Sequence, residues 1–284
     1  MLTVLHAINI STDYLEKKGI ESPRMNAEIL LADVLKCKRL ELYLMYDRPL
    51  TENEQNKYRD YLKRRSTFEP AQYIIGTVEF YGMEFKVSPA VLIPRPETEL
   101  LVETVINSVD KEDKLNVLDI GSGSGNISIA VAVNLPNSLV TGIEISESAI
   151  KIAEENLKKY DCNERVSFLN YDILSLDRDE LSDIDIIISN PPYVSKNDYG
   201  KIQKEILNYE PDIAVTDFED GFKFYREIIS LSAQVLKTDG KIFLEIAEGQ
   251  SNRIHEIMKQ NNFKDITVIK DYQKIDRVIS GVKK

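Results

Sequence analysis

Cysteine and histidine are nearly absent from this 284-residue chain, which has two of each. Cys37 and Cys162 lie far apart in sequence, which argues against a disulfide framework or a cysteine-based zinc site and fits a reducing compartment. His6 and His255 are isolated, so histidine acid–base chemistry has no evident pair. No apolar run reaches the roughly 18 residues of a membrane helix, so no span is expected. Met1 to Ile10 has neither a basic start nor a small-residue cleavage site, and no signal peptide is expected. Internal repeats and low-complexity tracts are also missing. Basic residues are in deficit, giving a net charge of −11. Residues 1–85 carry 12 Lys+Arg against 13 Asp+Glu, and the remainder 24 against 34. A protein gripping a phosphate backbone normally presents a basic face, so the acidic larger part counts against a nucleic-acid substrate.

What is present is length for two domains and, at 43% hydrophobic residues, material for a full core. Residues up to about position 75 read as helices. Val4, Leu5, Ile8, Tyr14 and Leu15 form one stripe, and Pro23 opens a helix with Ala27, Leu30, Leu31, Val34 and Leu35 on its apolar face. Thr51-Glu52-Asn53-Glu54 has the form of a capping box, starting a charged helix that ends at Lys63-Arg64-Arg65. That basic cluster is expected to be a solvated helix end favoured by the helix dipole. The block is too small to be an enzyme and reads as a partner-binding module. Alternation on both sides of Gly82, from Thr77 to Val87, predicts a hairpin between domains. Pro94 and Pro96 clamp Arg95 in an extended stretch, expected to be a loop lying over the active site. From Leu115 onward, strands and helices alternate, the mark of a parallel sheet with helices on both faces.

Two stretches of this half carry chemistry. The turn Gly121-Ser122-Gly123-Ser124-Gly125 follows the strand Val117 to Ile120 and precedes a helix, so a ligand can approach its backbone closely. Glu144 ends the next strand, where an acid accepts from ribose hydroxyls. Asn126 stands where the dinucleotide fingerprint wants a third glycine, which disfavours a nicotinamide oxidoreductase. Asp172 and Ile173, just past the third strand, are placed to meet an adenine; a plain strand-ending Asp is the alternative. The second stretch is Asn190-Pro191-Pro192-Tyr193, after the apolar run Ile184 to Ile188. Two prolines lock φ and remove two N–H donors, and the residue before them is forced extended. A stiff elbow results at a strand's carboxyl end, with the Asn190 oxygen and the Asn190 and Pro191 carbonyls as acceptors and Tyr193 as an aromatic face. Such a corner suits a planar NH2 group.

The glycine spacing resembles that of S-adenosylmethionine-dependent enzymes, and the tetrapeptide resembles the catalytic motif of methyltransferases acting on planar amines and amides. Over nearly the whole chain the sequence is similar to the release-factor glutamine N5-methyltransferases, the PrmC/HemK family. The matching stretches are Ser22-Pro23-Arg24, Glu69 to Ile74, Leu92 to Glu99, Asp119 to Gly125, Asn190 to Tyr193, Glu210-Pro211, Asp220-Gly221 and Leu244-Glu245-Ile246. Ala247 departs from the family's glycine but stays small, and Ile173 replaces an aromatic of some relatives. The resemblance implies an α/β protein: a class I, Rossmann-like, seven-stranded methyltransferase domain at 89–284, a β-hairpin linker at 76–88, and a helical substrate-docking domain at 1–75. It implies methyl transfer from S-adenosyl-L-methionine to the glutamine of the Gly-Gly-Gln motif in class I peptide-chain release factors. Asn190, Pro191 and Tyr193 are then catalytic. Gly121, Ser122, Gly123, Ser124, Gly125, Glu144, Asp172, Ile173 and Asn190 hold the cofactor; Asn190 to Tyr193, including Pro192, and Arg95 bind substrate. No metal, membrane or direct nucleic-acid substrate is expected, and the cytoplasm is the expected compartment. The alternatives are an adenine-N6 methyltransferase acting on DNA or RNA, and a glutamine methyltransferase of a ribosomal protein.

Overall fold

The computed structural model describes residues 1–175, 181 and 183–284. The chain divides into two compact units: Met1–Thr77 with Gln203–Tyr209, and Val78–Ile202 with Glu210–Lys284.

The first unit is helical. Thr3 caps α1 (Val4–Lys17), Pro23 sits in the first turn of α2 (Pro23–Leu35), and Thr51 and Glu54 form the expected box on α3 (Glu52–Arg65). A 3-10 turn (Arg39–Met45), the short α4 (Ala71–Ile75) and a helix from far along the chain, Lys204–Tyr209 (α9), complete it. Val4, Ile8, Leu30, Leu31, Leu42 and Tyr58 form its core. The solvated end expected at Lys63-Arg64-Arg65 is corrected: Arg65 is 2% exposed. Its Nε donates to Asn26 (2.7 Å) and its other nitrogens meet the Glu69 carbonyl and the Glu205 carboxylate. Arg64 forks onto Glu69. A buried guanidinium needs such partners, because an unpaired charge away from water is costly.

In the second unit, β1 (Thr77–Phe80) and β2 (Met83–Lys86) form the hairpin, turning at Tyr81 and Gly82, both at positive φ (52° and 71°). That geometry matches strand twist. Phe80 and Phe85 are buried in the unit's core against Leu101 and Val105 of α5 (Pro96–Asn107). The doubly wound part runs β3 (Asn116–Ile120), α6 (Asn126–Asn134), β4 (Leu139–Glu144), α7 (Glu147–Leu157), β5 (Val166–Asn170) and β6 (Ile184–Ser189). After the short α8 (Lys196–Tyr199) and α9 come α10 (Lys223–Val235), β7 (Leu236–Glu245), α11 (Ser251–Gln260), β8 (Phe263–Lys270) and β9 (Asp276–Lys283). The seven strands lie in the order β5-β4-β3-β6-β7-β9-β8. β3 to β7 pair in parallel, while β9 runs antiparallel to both β7 and β8.

Alternate residues of one strand feed opposite cores, as a strand's period of two requires. Val117 packs with α5 and α6, whereas Leu118 and Ile120 pack with Tyr225, Ile228 and Ile254 of α10 and α11. Burial on both faces explains why β6 reads as a run of isoleucines. β3 lies between β4 and β6, so the chain's order reverses there, and open α/β sheets place ligands at the carboxyl ends beside such a point. Gly142 on β4 serves the same corner: a Cβ there would meet the Phe168 ring at 2.7 Å and the Ser122 Cβ at 2.9 Å. Gly142→Ala is expected to cost about 1–3 kcal/mol as overpacking, read as a lower Tm by thermal unfolding; an unchanged Tm would contradict this packing.

Candidate active site

A cavity of about 270 Å³ opens at the carboxyl ends of β3, β4 and β6. Of the residues singled out from sequence, Gly121, Gly123, Glu144, Asp172, Ile173, Asn190, Pro191 and Pro192 line it. Ser122, Ser124, Gly125, Tyr193 and Arg95 do not lie on its wall. Val91 and Leu92 do, whereas the clamped stretch Pro94-Arg95-Pro96 that follows them is off the wall.

The glycine turn is built in two layers. Gly121 and Gly123 have φ of +77° and +53°, and a Cβ on either would meet nothing within 4 Å. Their backbone is therefore left open to a ligand, and the left-handed conformation is what demands glycine. Gly125 (φ +78°) is close-packed instead: its Cβ would stand 2.8 Å from the Phe168 ring. Behind the turn, Ser122 and Ser124 are buried, Ser124 bonding Asn126 at 3.1 Å. Beneath it, Asp119 is fully buried and accepts from Ser128 at 2.6 Å; burial pushes its carboxyl up to about 7. Sequence reading assigned Asp119 no role, since one acid in an apolar strand carries no signal of its depth.

Glu144 is fixed by backbone alone. Gly123 N–H donates to Oε2 (3.0 Å) and Ser146 N–H to Oε1 (2.9 Å), where Ser146 also caps α7. Each oxygen keeps a further lone pair for a hydroxyl donor. Along the wall from Glu144 come Tyr171, Asp172, Ile173 and Leu174. Asp172 Oδ1 accepts from Leu174 N–H at 2.9 Å, tightening this turn. Tyr171 was not anticipated.

Across the cavity, β6 ends in Ser189, whose hydroxyl donates to the Ile120 carbonyl at 2.7 Å, tying β6 to β3 below the elbow. Asn190 Nδ2 donates to Thr98 Oγ1 at 3.1 Å. Tyr193 is not on the cavity wall and packs against the core cluster that includes residues of α10 and α11; burial raises its phenol well above the ordinary value, with Glu245 adding to the shift. The Tyr193 carbonyl accepts from Gln250 Nε2 at 3.2 Å and would lie 2.7 Å from a Cβ on Gly221, which accounts for that glycine. Arg95 pairs with the buried Glu210, which also accepts from Ile93 N–H at 3.1 Å and so holds the covering loop.

The residues present suit an adenosyl ligand: open glycine backbone, a carboxylate bonded to that turn with lone pairs to spare, and aliphatic walls at Ile173 and Leu174. No group of three or more metal-ligating side chains occurs among the described residues. No described helix is long and apolar enough to cross a membrane.

Residues 6–76 match the PrmC N-terminal domain family, and residues 111–280 match a methyltransferase domain family. The chain is 44% identical over 281 residues to the release factor glutamine methyltransferase of Fusobacterium nucleatum, covering 98% of this chain and 78% of that one. It is 39% identical over 283 residues to the release factor glutamine methyltransferase of Koribacter versatilis, covering 99% of each. Among solved structures, a methyltransferase from Pyrococcus furiosus matches with TM-score 0.50 at 19% identity, covering 82% of this chain and 99% of that one, a likeness of fold.

Proposed function

This chain belongs to the release factor glutamine methyltransferase family, and from that premise we propose how its residues divide the work of methylating a glutamine side-chain amide. Bound S-adenosylmethionine supplies an electrophilic methyl group on its sulfonium. Glu144 would accept from the ribose hydroxyls, Gly121 and Gly123 would receive the ligand against open backbone, and Asp172 with Ile173 would meet the adenine. The observation carrying this reading is that one cavity has the backbone-anchored Glu144 on one wall and Asn190-Pro191 on the other.

An amide nitrogen is a weak nucleophile because its lone pair is delocalised into the carbonyl. Asn190 Oδ1 and the Pro191 carbonyl accept the two N–H bonds of the substrate amide, which returns density to nitrogen and orients it. Holding the reactants in attack geometry can lower a barrier by about 7–11 kcal/mol, and acceptors where positive charge develops add electrostatic stabilisation. The nitrogen's proton becomes acidic once the methyl group has arrived, so no strong base is required, in keeping with the scarcity of histidine. Pro192 stiffens the elbow, Tyr193 anchors it against the core, and Arg95 steadies the preceding loop through Glu210.

The substrate in this reading is a class I peptide-chain release factor, methylated at the glutamine of Gly-Gly-Gln, and the compartment is the cytoplasm. The helical domain, 1–75, docks the release factor; Leu40 and Leu44 there are 70% and 87% exposed. Nucleic acid is not the substrate, a view supported by the acidic balance of residues 86–284. The test offers release factor, DNA and RNA in parallel with labelled S-adenosylmethionine, and locates the methyl group by mass spectrometry. Label on the Gly-Gly-Gln peptide alone is expected; label on adenine would overturn the assignment.

A further inference from the structure

Behind Asn190, away from the cavity, lie two buried polar side chains that the mechanism above does not use. Thr98 sits in the first turn of α5 and is 2% exposed; Glu245 is the last residue of β7 and is 3% exposed. β6 and β7 are parallel neighbours, with Ser189 opposite Leu244, so Asn190 and Glu245 emerge side by side at the sheet's carboxyl end. The start of α5 lies over both. Thr98 Oγ1 accepts from Asn190 Nδ2 at 3.1 Å, and the same hydroxyl is the side-chain partner whose hydrogen bonding favours an ionised Glu245 carboxylate. Glu245 Oε2 has no hydrogen-bond partner among the described residues.

We propose that Thr98 and Glu245 are positioning residues that set which way the Asn190 carboxamide faces. A hydroxyl has one proton. With that proton given to Glu245, Thr98 can only accept, so only the NH2 end of Asn190 satisfies it. The oxygen end is thereby turned to the cavity, where a substrate N–H needs an acceptor. Were the carboxamide reversed, a lone pair of Thr98 would face a lone pair of Asn190, and an NH2 group would face the substrate's NH2. Glu245 thus acts three hydrogen bonds from the reacting nitrogen without touching it.

The device depends on Glu245 being ionised. Burial pushes its carboxyl up to about 7, a rise opposed by the Thr98 bond and by Arg277 of β9 and Arg95, and increased by Glu97 of α5. Tyr193 after β6 and Tyr225 of α10 also face it, Tyr225 through a 2.8 Å bond to its carbonyl. Protonated Glu245 can donate to Thr98, which frees the Thr98 proton for the Asn190 oxygen and lets the carboxamide reverse. Turnover is therefore expected to fall as pH drops through about 7.

The inference rests on Asn190 being the acceptor for the substrate amide, and full-length variants separate the two ideas. Thr98→Val keeps shape but cannot accept; kcat for release-factor methylation should fall about 10²-fold, as for misplacement of a reacting group. Binding of S-adenosylmethionine, measured by calorimetry, should be unchanged, and Thr98→Ser should restore kcat. Glu245→Gln should flatten the acid limb of the kcat profile. Wild-type kcat in Thr98→Val, equal loss of cofactor affinity, no rescue by Thr98→Ser, or an intact acid limb in Glu245→Gln would each overturn it. An inactive wild type on release factor would instead overturn the functional reading.

Discussion

Asn190→Ala is expected to fold, to bind S-adenosylmethionine with near-native affinity, and to lose about 10²–10³-fold in single-turnover methylation of the release factor. The size follows from where the side chain stands. Asn190 lies on the cavity wall directly after a strand anchored through Ser189 to the Ile120 carbonyl, so the elbow's backbone survives the substitution. Only the carboxamide is removed. In the proposed reaction its oxygen is an acceptor for charge that appears during transfer, and such preorganised groups act mainly on kcat. Asn190→Asp tests the same point differently: a carboxylate brings no NH2 to the acceptor face of Thr98 and sets a charge close to the buried Glu245. Rapid-quench assays at saturating substrate measure both variants, and wild-type single-turnover rates in either would remove Asn190 from the reaction.

Glu144→Ala carries the second large effect, and on binding rather than turnover. Hydrogen bonds to a charged acceptor contribute about 1.5–3 kcal/mol each, so losing the carboxylate should weaken S-adenosylmethionine binding by about one to two orders of magnitude for each hydroxyl it holds. Glutamine cannot substitute here. Both Glu144 oxygens accept backbone N–H groups, from Gly123 and Ser146, so a Gln amide would set NH2 against one of these donors. Glu144→Gln should therefore lose nearly as much affinity as Glu144→Ala, as titration calorimetry would read. A glutamine variant with native affinity would contradict the arrangement.

The parts of the site that could be read from sequence are those whose signal is local. A glycine turn between an apolar strand and a helix, an acid ending the next strand, and Asn-Pro-Pro after a run of isoleucines are short-range patterns, and backbone sterics dictates their shape. The capping box at Thr51 and Glu54 and the hairpin at Gly82 were legible for the same reason. Residues that meet only through the tertiary fold were not. Thr98 reads as an ordinary first-turn residue and Glu245 as a strand-ending acid; what joins them to Asn190 is the pairing of β6 with β7. Arg65 reads as a solvated cation because its partner Glu205 lies 140 residues away. The short helices α8 and α9 escaped because four to six residues show no helical period. Tyr193 illustrates a different limit. Its place in the motif suggested an aromatic wall beside the acceptors, yet the residue is off the cavity wall and packs against the core cluster that includes α10 and α11 residues.

The charge pattern shows how far composition reaches. An acidic larger part disfavours phosphate-backbone binding, but says nothing about which amide the acceptors of Asn190 and Pro191 would select. That choice belongs to the pocket's geometry.

The most direct measurement is a crystal structure of the chain with a glutamine-containing Gly-Gly-Gln peptide and the demethylated cofactor product. The expected result places the glutamine amide nitrogen at hydrogen-bond distance, roughly 2.7–3.2 Å, from both Asn190 Oδ1 and the Pro191 carbonyl, with Asn190 Nδ2 still on Thr98. A glutamine nitrogen bonded elsewhere, with the Asn190 oxygen turned onto Thr98, would contradict the account.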